Sequence, residues 1–268
     1  MDLNKTTFII PIKIENPDRY RNAKIVLEYL DSNYKTNIFI YEISDSESTK
    51  LDFITSLKNL NIKHWIAKED SLFHRTKYLN IMLDSVKTPV VVNYDIDVLL
   101  TPKNIMECQD LILKGEADVI YPYENGEFQY KVMKDFNYSG FENSGYAINF
   151  LNESNCLFKT SSVCGHCIFF NTIIYKKYGG ENEDFVSYGP EDQERCHRFQ
   201  NLDCKVIWRT GEFVYHFEHY RGEDSSVENP SYNKNCEIFH NIKNKSKEDL
   251  KEYYKSPEYS KLYKTICK

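Results

Sequence analysis

Apolar residues in the first hundred positions follow two alternating patterns. Short continuous runs predict buried strands, and apolar residues three or four positions apart predict helices. In chain order they predict a strand over 8–12, a helix over 20–30, a strand over 37–43, a helix over 52–60, a short strand over 63–67, a helix over 71–85 and a strand over 89–94. Strands that alternate with helices in this way indicate an α/β fold with a Rossmann-like, mostly parallel sheet flanked by helices.

The pattern is less regular after residue 100. It predicts a helix over 101–113, a strand over 118–122, a strand over 168–171, helices over 172–178 and 191–200, and strands over 205–209 and 213–216. The aromatic-rich stretch 126–158 shows neither spacing and is interpreted as irregular. Because no repeat, low-complexity tract or linker divides the chain, we expect a single compact domain over 1–242 and a helical tail over 243–268.

Charge and hydropathy exclude some classes of function. The net charge is −6 and no basic stripe stands out, so no nucleic-acid partner is expected. The lysines near the C-terminus are interrupted by acids, which predicts a solvated helix with at most peripheral membrane contact. The first apolar run, Phe8–Ile12, is too short to cross a bilayer. We therefore expect a cytoplasmic protein, in contact at most with the inner face of the membrane.

Tyrosine and cysteine are both plentiful. The rings of the 21 tyrosines can pack against sugars, although most such rings simply fill half-buried positions. The 8 cysteines are scattered through a chain large enough to fold without disulfides, which favours free thiols. Cys164 and Cys167 form a CxxC pair with no second pair, so structural zinc is not expected.

Asp95 and Asp97 follow the predicted strand over 89–94. Side chains two apart on a strand point the same way, and ligands bind outside the carboxyl ends of parallel strands. Two carboxylates there can hold a divalent cation and, through it, a diphosphate. The alternative is a solvated turn, where such a tripeptide is common by chance. The apolar residues on both sides favour the binding site.

Two further groups of residues can carry chemistry. His216 and His219 follow a predicted strand and can complete a metal site, although their spacing does not say which of them binds. Glu191 and Asp192 begin a predicted helix after a glycine-containing segment. Acidic residues are favoured at a helix N-terminus in any case, so a plain acidic helix start is the alternative interpretation.

Five separated segments together resemble one family. They are Ile9-Ile10-Pro11 with Arg21-Asn22, Phe73-His74-Arg75-Thr76-Lys77-Tyr78-Leu79-Asn80, Tyr94-Asp95-Ile96-Asp97, Tyr188-Gly189-Pro190-Glu191-Asp192 and Glu218-His219-Tyr220-Arg221. In this order, over about 8–222, they resemble the beta-1,4-galactosyltransferase family and its bacterial relatives. The resemblance implies a GT-A fold, with a nucleotide-sugar half over about 1–100 and an acceptor and catalytic half over about 101–242.

The resemblance implies a donor site that holds a UDP-sugar and Mn²⁺, with Mg²⁺ as the alternative ion. Asp97 and His219 would ligate the metal, and His216 falls where many relatives have another ligand. Asp95 would support the ribose or the metal shell. The remaining residues implied for nucleotide-sugar binding are Pro11, Phe73, Arg75 and Gly165.

The resemblance also implies an acceptor side. Asp192 would be the catalytic base, Glu191 would hold the acceptor sugar, and Tyr188 stands where the family has a tryptophan. Ser162 falls about where relatives carry a bulky residue that restricts the donor, so the sugar stays open between Gal and GalNAc. The expected acceptor is a glycan or a lipid-linked saccharide, in surface polysaccharide synthesis.

The function expected from the sequence is therefore an inverting, metal-dependent glycosyltransferase. A retaining GT-A transferase would keep the Asp-x-Asp motif but would not need a base at Glu191 or Asp192. A nucleotidyltransferase could use the same acids, but no glycine-rich phosphate loop lies near the first strand. A non-catalytic carbohydrate-binding protein would have no reason to combine the metal acids, the late histidines and the Glu-Asp pair.

Overall fold

The structure of the chain is a computed structural model that describes residues 1–46, 48–69, 72–162, 164–222 and 225–255. Two sheets organise these residues. The larger sheet contains β1 (Asp2–Lys13), β2 (Lys35–Ser44), β3 (Leu60–Lys68), β4 (Val90–Tyr94), β6 (Val119–Tyr121), β9 (Cys167–Asn171) and β10 (Val206–Trp208). The smaller sheet contains β5 (Val98–Leu99), β7 (Gly126–Val132), β8 (Leu157–Ser162) and β11 (Val214–Phe217).

The larger sheet is mostly parallel and has the strand order β10-β6-β9-β4-β1-β2-β3. Strands β4, β1, β2 and β3 run parallel to one another, and β6 runs parallel to β10. Strand β9 runs antiparallel to both β4 and β6. Every residue of β4 is buried, because helices cover both faces of the sheet. The predicted fold class is thus confirmed.

Helices surround the sheets. They are α1 (Pro17–Asn33), α2 (Arg75–Ser85), α3 (Pro102–Leu113), α4 (Tyr138–Asn143), α5 (Ile148–Asn152), α6 (Thr172–Lys177), α7 (Glu191–Asn201), α8 (Tyr232–Lys243) and α9 (Lys247–Lys255). Helix α1 begins after Asn16, whose side chain accepts a hydrogen bond from the amide of Arg19. Pro17 suits the first position of the helix because it has no amide hydrogen that needs a partner. Its buried face packs into the main core with Val26, Leu27 and Leu30.

Aromatic side chains join the central strands. The ring of Phe8 on β1 packs edge-on against Tyr94 on β4, with centroids 5.4 Å apart, and against Phe169 on β9 at 6.3 Å. All three rings are fully buried. These contacts fix three neighbouring strands whose ends carry the residues described below.

Two segments differ from the pattern in the sequence. Residues 126–158 are not irregular: they contain β7, α4, α5 and the start of β8. Strand β7 alternates only weakly between buried and exposed positions, so its period was not visible. The helix expected over 52–60 is a short 3-10 turn over Asp52–Ser56, since Leu60 already begins β3.

The C-terminal helices pack onto the rest of the chain. Helix α8 was not predicted. Helix α9 is not fully solvated, because Leu250 and Tyr254 are buried in a second apolar cluster with Phe185, Leu202 and Ile242. Residues 256–268 of the expected tail lie outside the described part of the chain. Among the described residues, none of the helices has the length and apolar character needed to cross a membrane.

Candidate active site

The carboxyl ends of β1 and β4 open into one cleft. All residues predicted for the site line it: Pro11, Phe73, Arg75, Asp95, Asp97, Gly165, Tyr188, Glu191, Asp192, His216 and His219. They come from distant parts of the sequence. The larger sheet brings Pro11 and Asp95 together because its parallel strands end at one edge, and β11 of the smaller sheet adds His216.

Asp97, His216 and His219 form a buried cluster whose ligand atoms all lie within 4.8 Å of one another. Nε2 of His219 is 3.1 Å from Oδ2 of Asp97, and Nε2 of His216 is 3.6 Å from Oδ1. Strand β11 carries His216 to this place because it pairs with β5, where His216 lies opposite Val98. The amide of Phe217 also donates to the Asp97 carbonyl at 2.8 Å.

The chemistry of the cluster fits a divalent metal ion. Nδ1 of His219 lies 2.7 Å from the carbonyl oxygen of Tyr220, so the ring proton belongs on Nδ1 and Nε2 keeps its lone pair. That lone pair faces the carboxylate of Asp97, which is unfavourable unless a cation lies between them. Two imidazoles beside a carboxylate suit a transition ion better than Mg²⁺, which prefers oxygen ligands.

Asp97 is ionised even without a metal ion. Burial alone would raise its pKa, but His216 and Arg19 outweigh burial and hold the pKa well below its ordinary value. Nη1 of Arg19 lies 3.3 Å from Oδ2 of Asp97. Arg19 therefore places a permanent positive charge beside the cluster, from the first turn of α1.

Arg75, the first residue of α2, contacts both acidic parts of the cleft. Its Nη2 donates to Oδ1 of Asp95 at 2.7 Å, and its Nη1 lies 3.7 Å from Oδ1 of Asp192. Burial raises the pKa of Asp95, and repulsion from Asp97 and Asp192 adds to the rise, although Arg75 opposes it. The amide of Asp95 donates to the carbonyl of His166 at 2.9 Å, which fixes the turn after β4.

Glu191 and Asp192 begin helix α7 and have different charge states. Burial would raise the pKa of Asp192, but Arg195 and Arg75 outweigh it and leave the pKa below its ordinary value. Burial and repulsion from Asp192 raise the pKa of Glu191 to about 8. Oε2 of Glu191 is buried, with no hydrogen-bond partner among the described residues. At neutral pH, Asp192 is thus a carboxylate and Glu191 a neutral acid, a division that acid–base catalysis uses.

Two glycines allow close approaches around the cleft. A Cβ atom on Gly165 would lie 3.0 Å from Oδ2 of Asp192, so a side chain there would push against the carboxylate. A Cβ atom on Gly189 would lie 2.6 Å from Cβ of Asn235 on α8. Asn235 is fully buried, and its Nδ2 donates to the carbonyl of Tyr188 at 3.0 Å. Helix α8 thus holds the segment that leads into α7.

Several residues of the cleft were not predicted from the sequence. They are Ile12, Lys13, Glu15, Arg19, Ile96, His166, Ser187, Arg221 and Ser225. Arg19 could have been predicted, because it lies a few residues after β1 and ligands bind beyond the carboxyl ends of parallel strands. No comparable sequence signal points to His166. Its backbone has a positive φ of 69°. Burial and repulsion from His216 lower the pKa of its imidazole to about 3. The Ser162 side chain lies outside the described residues.

Comparison with known proteins first gives the class of fold. No protein-family model and no curated protein sequence matches the chain. Solved structures do match, at 14–15% sequence identity, and they show that the chain has the GT-A fold of glycosyltransferases. The likeness lies at the level of the fold. The narrower resemblance to beta-1,4-galactosyltransferases stays an expectation.

Two solved structures illustrate the match. GalNAc-T7, solved with UDP, GalNAc and Mn²⁺, has a TM-score of 0.61 at 14% identity, over 97% of this chain and 52% of that one. TarS 1–349 from S. aureus, in complex with UDP-GlcNAc, has a TM-score of 0.51 at 15% identity, over 82% of this chain and 60% of that one. The chain thus spans about half the length of the first of these two proteins and three fifths of the second.

Proposed function

We propose that the chain is a metal-dependent, inverting glycosyltransferase that moves Gal or GalNAc from a UDP-sugar to a hydroxyl group of a glycan or lipid-linked saccharide. One observation carries the proposal: the buried cluster of Asp97, His216 and His219 faces the same cleft as Glu191 and Asp192. The GT-A fold supports it, since GalNAc-T7 was solved with UDP and Mn²⁺ and TarS with UDP-GlcNAc.

The donor half of the reaction belongs to the ends of β1 and β4. Asp97, His216 and His219 would hold Mn²⁺, which when bound neutralises negative charge that develops on the departing diphosphate. Pro11 and Phe73 offer apolar walls for the nucleotide. The imidazole ligands favour Mn²⁺ over Mg²⁺, because imidazole nitrogen suits transition ions.

The acceptor half of the reaction belongs to the start of α7. As the acceptor oxygen bonds to the anomeric carbon, the bond from that carbon to the diphosphate breaks, and Asp192 takes the acceptor proton. Attack from the side opposite the leaving UDP inverts an α-linked donor to a β-linked product. Glu191, neutral at pH 7, can donate a hydrogen bond to the acceptor sugar without repelling Asp192.

The carboxylate of Asp192 supports the inverting reaction over the other interpretations. Its side chain is 31% exposed to the cleft, so an acceptor hydroxyl can reach it. A retaining transferase needs no such base, and a carbohydrate-binding protein needs neither base nor metal cluster. The acceptor class, a role in surface polysaccharide synthesis, and work in the cytoplasm at the inner face of the membrane belong to the same proposal.

A panel of UDP-sugars tests the proposal directly. UDP release is measured with and without Mn²⁺ for the wild type, for Asp97→Ala, and for Asp110→Ala, which removes an exposed acid on α3 as a matched control. We expect Mn²⁺-dependent release from UDP-Gal or UDP-GalNAc, lost only in Asp97→Ala. With a simple saccharide present as the acceptor, NMR of the product then reads the anomeric configuration of the new glycosidic bond. No release from any donor, or an α-linked product, would contradict the proposed reaction.

A further inference from the structure

A buried ion pair lies directly behind Asp192. Arg195 on α7 and Glu181, which precedes that helix, have side chains that are 0% and 1% exposed. Nη1 of Arg195 donates to both carboxylate oxygens of Glu181, at 2.9 and 2.8 Å. Nη2 of the same guanidinium donates to Oδ1 of Asp192 in a short contact. One arginine therefore joins a fully buried acid to the acid that faces the cleft.

Glu181 is anchored in turn to the strand that carries the metal motif. Its Oε1 accepts a hydrogen bond from Nδ2 of Asn93 on β4, at 2.8 Å. Asn93 lies two residues before Asp95, and Arg75 joins Asp95 back to Asp192. The contacts thus form a closed ring: Asn93, Glu181, Arg195, Asp192, Arg75 and Asp95.

The energetics of burial argue that this pair has a positional role. Taking two charges out of water costs about as much as their attraction returns, so a buried pair adds little to stability compared with apolar residues. The pair instead fixes the orientation of its partners, because the N–H donors of a guanidinium group have a fixed planar geometry. Here Nη1 of Arg195 donates to Glu181, and Nη2 of the same group donates to Asp192.

We propose that Arg195, held by Glu181, is a positioning residue that fixes Asp192 relative to Asp95. This inference rests on the proposed function, since it gives Asp192 the role of base. The sequence analysis assigned no role to either Arg195 or Glu181. Both lie outside the residues that line the cleft.

Other charged and titratable groups around Asp192 must be considered in any test against pH. They are Glu191, Arg195 and Cys196 on α7, Arg75 on α2, Asp95 after β4, and Cys164 and His166 in the loop before β9. Arg195 and Arg75 are the cations in direct contact with Asp192 among the described residues. Removing Arg195 leaves the others in place, so its own effect can be isolated.

The chain offers a matched control one turn further along the same helix. Arg198 and Glu194 form a second buried ion pair, with Nε and Oε1 3.0 Å apart and exposures of 0% and 1%. This pair turns away from the cleft, because Oε1 of Glu194 accepts from Tyr254 on α9. Replacing Arg198 and Glu194 therefore removes a buried ion pair as deeply buried as Arg195–Glu181, and it removes no contact with Asp192.

The experiment measures UDP release from the active donor, with Mn²⁺, as a function of pH. The variants are Arg195→Met, Arg195→Lys and the charge-neutral double variant Glu181→Gln with Arg195→Met; the control is Glu194→Gln with Arg198→Met. Mn²⁺-dependent binding of UDP is measured by calorimetry in parallel. The double variant leaves no unpaired buried charge, so it serves if Arg195→Met fails to fold.

We expect the variants at 195 to lose about hundredfold in kcat while UDP affinity stays within a few-fold. Without Arg195 the pKa of Asp192 rises, so the acidic limb of the pH profile should move up by about one unit. Arg195→Lys should reverse part of that upward movement, because lysine keeps a positive charge at this position. The control should keep the wild-type profile.

The outcomes separate this inference from the proposed function. Equal losses in the double variant and the control, with no movement of the acidic limb, would show a merely structural pair and overturn the inference alone. A wild type that releases UDP from no donor would overturn the proposed function, and the positioning role with it.

Discussion

The protonation of Glu191 leads to a prediction that needs no substrate. Its pKa rises from 4.5 to about 8 because the side chain is buried beside the carboxylate of Asp192. A group whose pKa is raised by folding contributes stability below its unfolded pKa and loses that contribution as the pH rises toward the folded value. Stability should therefore fall between about pH 4.5 and 8, and Glu191→Gln should remove that fall.

The size of the effect follows from the two pKa values. Each unit corresponds to about 1.4 kcal/mol, so the wild type would lose about 2.5 kcal/mol of unfolding free energy between pH 5 and pH 7. Solvent in the cleft screens part of this, and we expect about 2 kcal/mol. For a chain of this size that is roughly 4–8 °C in melting temperature. Glu191→Gln should lack this extra loss.

Thermal unfolding in EDTA, at pH 5 and pH 7, measures the difference. Glu237→Gln on α8 is the matched control, because Glu237 is an exposed glutamate and its replacement should leave the pH dependence unchanged. The comparison is the change in melting temperature of each variant relative to the wild type at both pH values. If Glu191→Gln follows the wild type at both, Glu191 is already ionised at pH 7 and the reasoning from burial is wrong.

Three other predictions concern the metal, the cleft and the segment before α7. His219→Ala should weaken Mn²⁺ binding by at least about hundredfold without nucleotide, measured by electron paramagnetic resonance; unchanged binding would remove this ligand from the site. Gly165→Ala should cut donor turnover by about hundredfold, because its Cβ would lie 3.0 Å from Oδ2 of Asp192; wild-type rates would show that the loop yields freely. Asn235→Ala should cost about 2 kcal/mol in urea unfolding, since it leaves the carbonyl of Tyr188 without this donor; a cost below about 0.5 kcal/mol would argue against that anchor.

The sequence was most informative where strands end. The apolar run before Asp95 predicted both β4 and the position of the acids at its carboxyl end, because a central strand and its exit have a clear pattern. Helix α7 was visible for a similar reason, since acids cluster at its first turn. Local patterns therefore predicted the larger sheet and the acids and histidines of the cleft, whereas Pro11, Phe73, Arg75, Gly165 and Tyr188 followed only from the resemblance to a known family.

The features that could not be predicted from the sequence depend on buried polar and charged side chains. Helix α8 buries Asn235 and Ile242 against its neighbours, and a buried asparagine leaves no apolar period to recognise. Arg195 and Glu181 are charged and fully buried, whereas a sequence pattern assigns such residues to the surface. Their partners are distant in the chain or set by the tertiary structure, so no local spacing could reveal them.

The antiparallel strand β9 has a consequence for how the protein is made. Strand β4 pairs with β1, which is synthesised first, and with residues 167–171, which are synthesised more than seventy positions later. Until then the Val90–Tyr94 run has one open edge, and such an apolar edge readily pairs with other chains. The nascent N-terminal half therefore exposes this edge to pairing with other chains until β9 has been synthesised. A fragment cut before β9 should precipitate instead of folding as a separate nucleotide-binding unit.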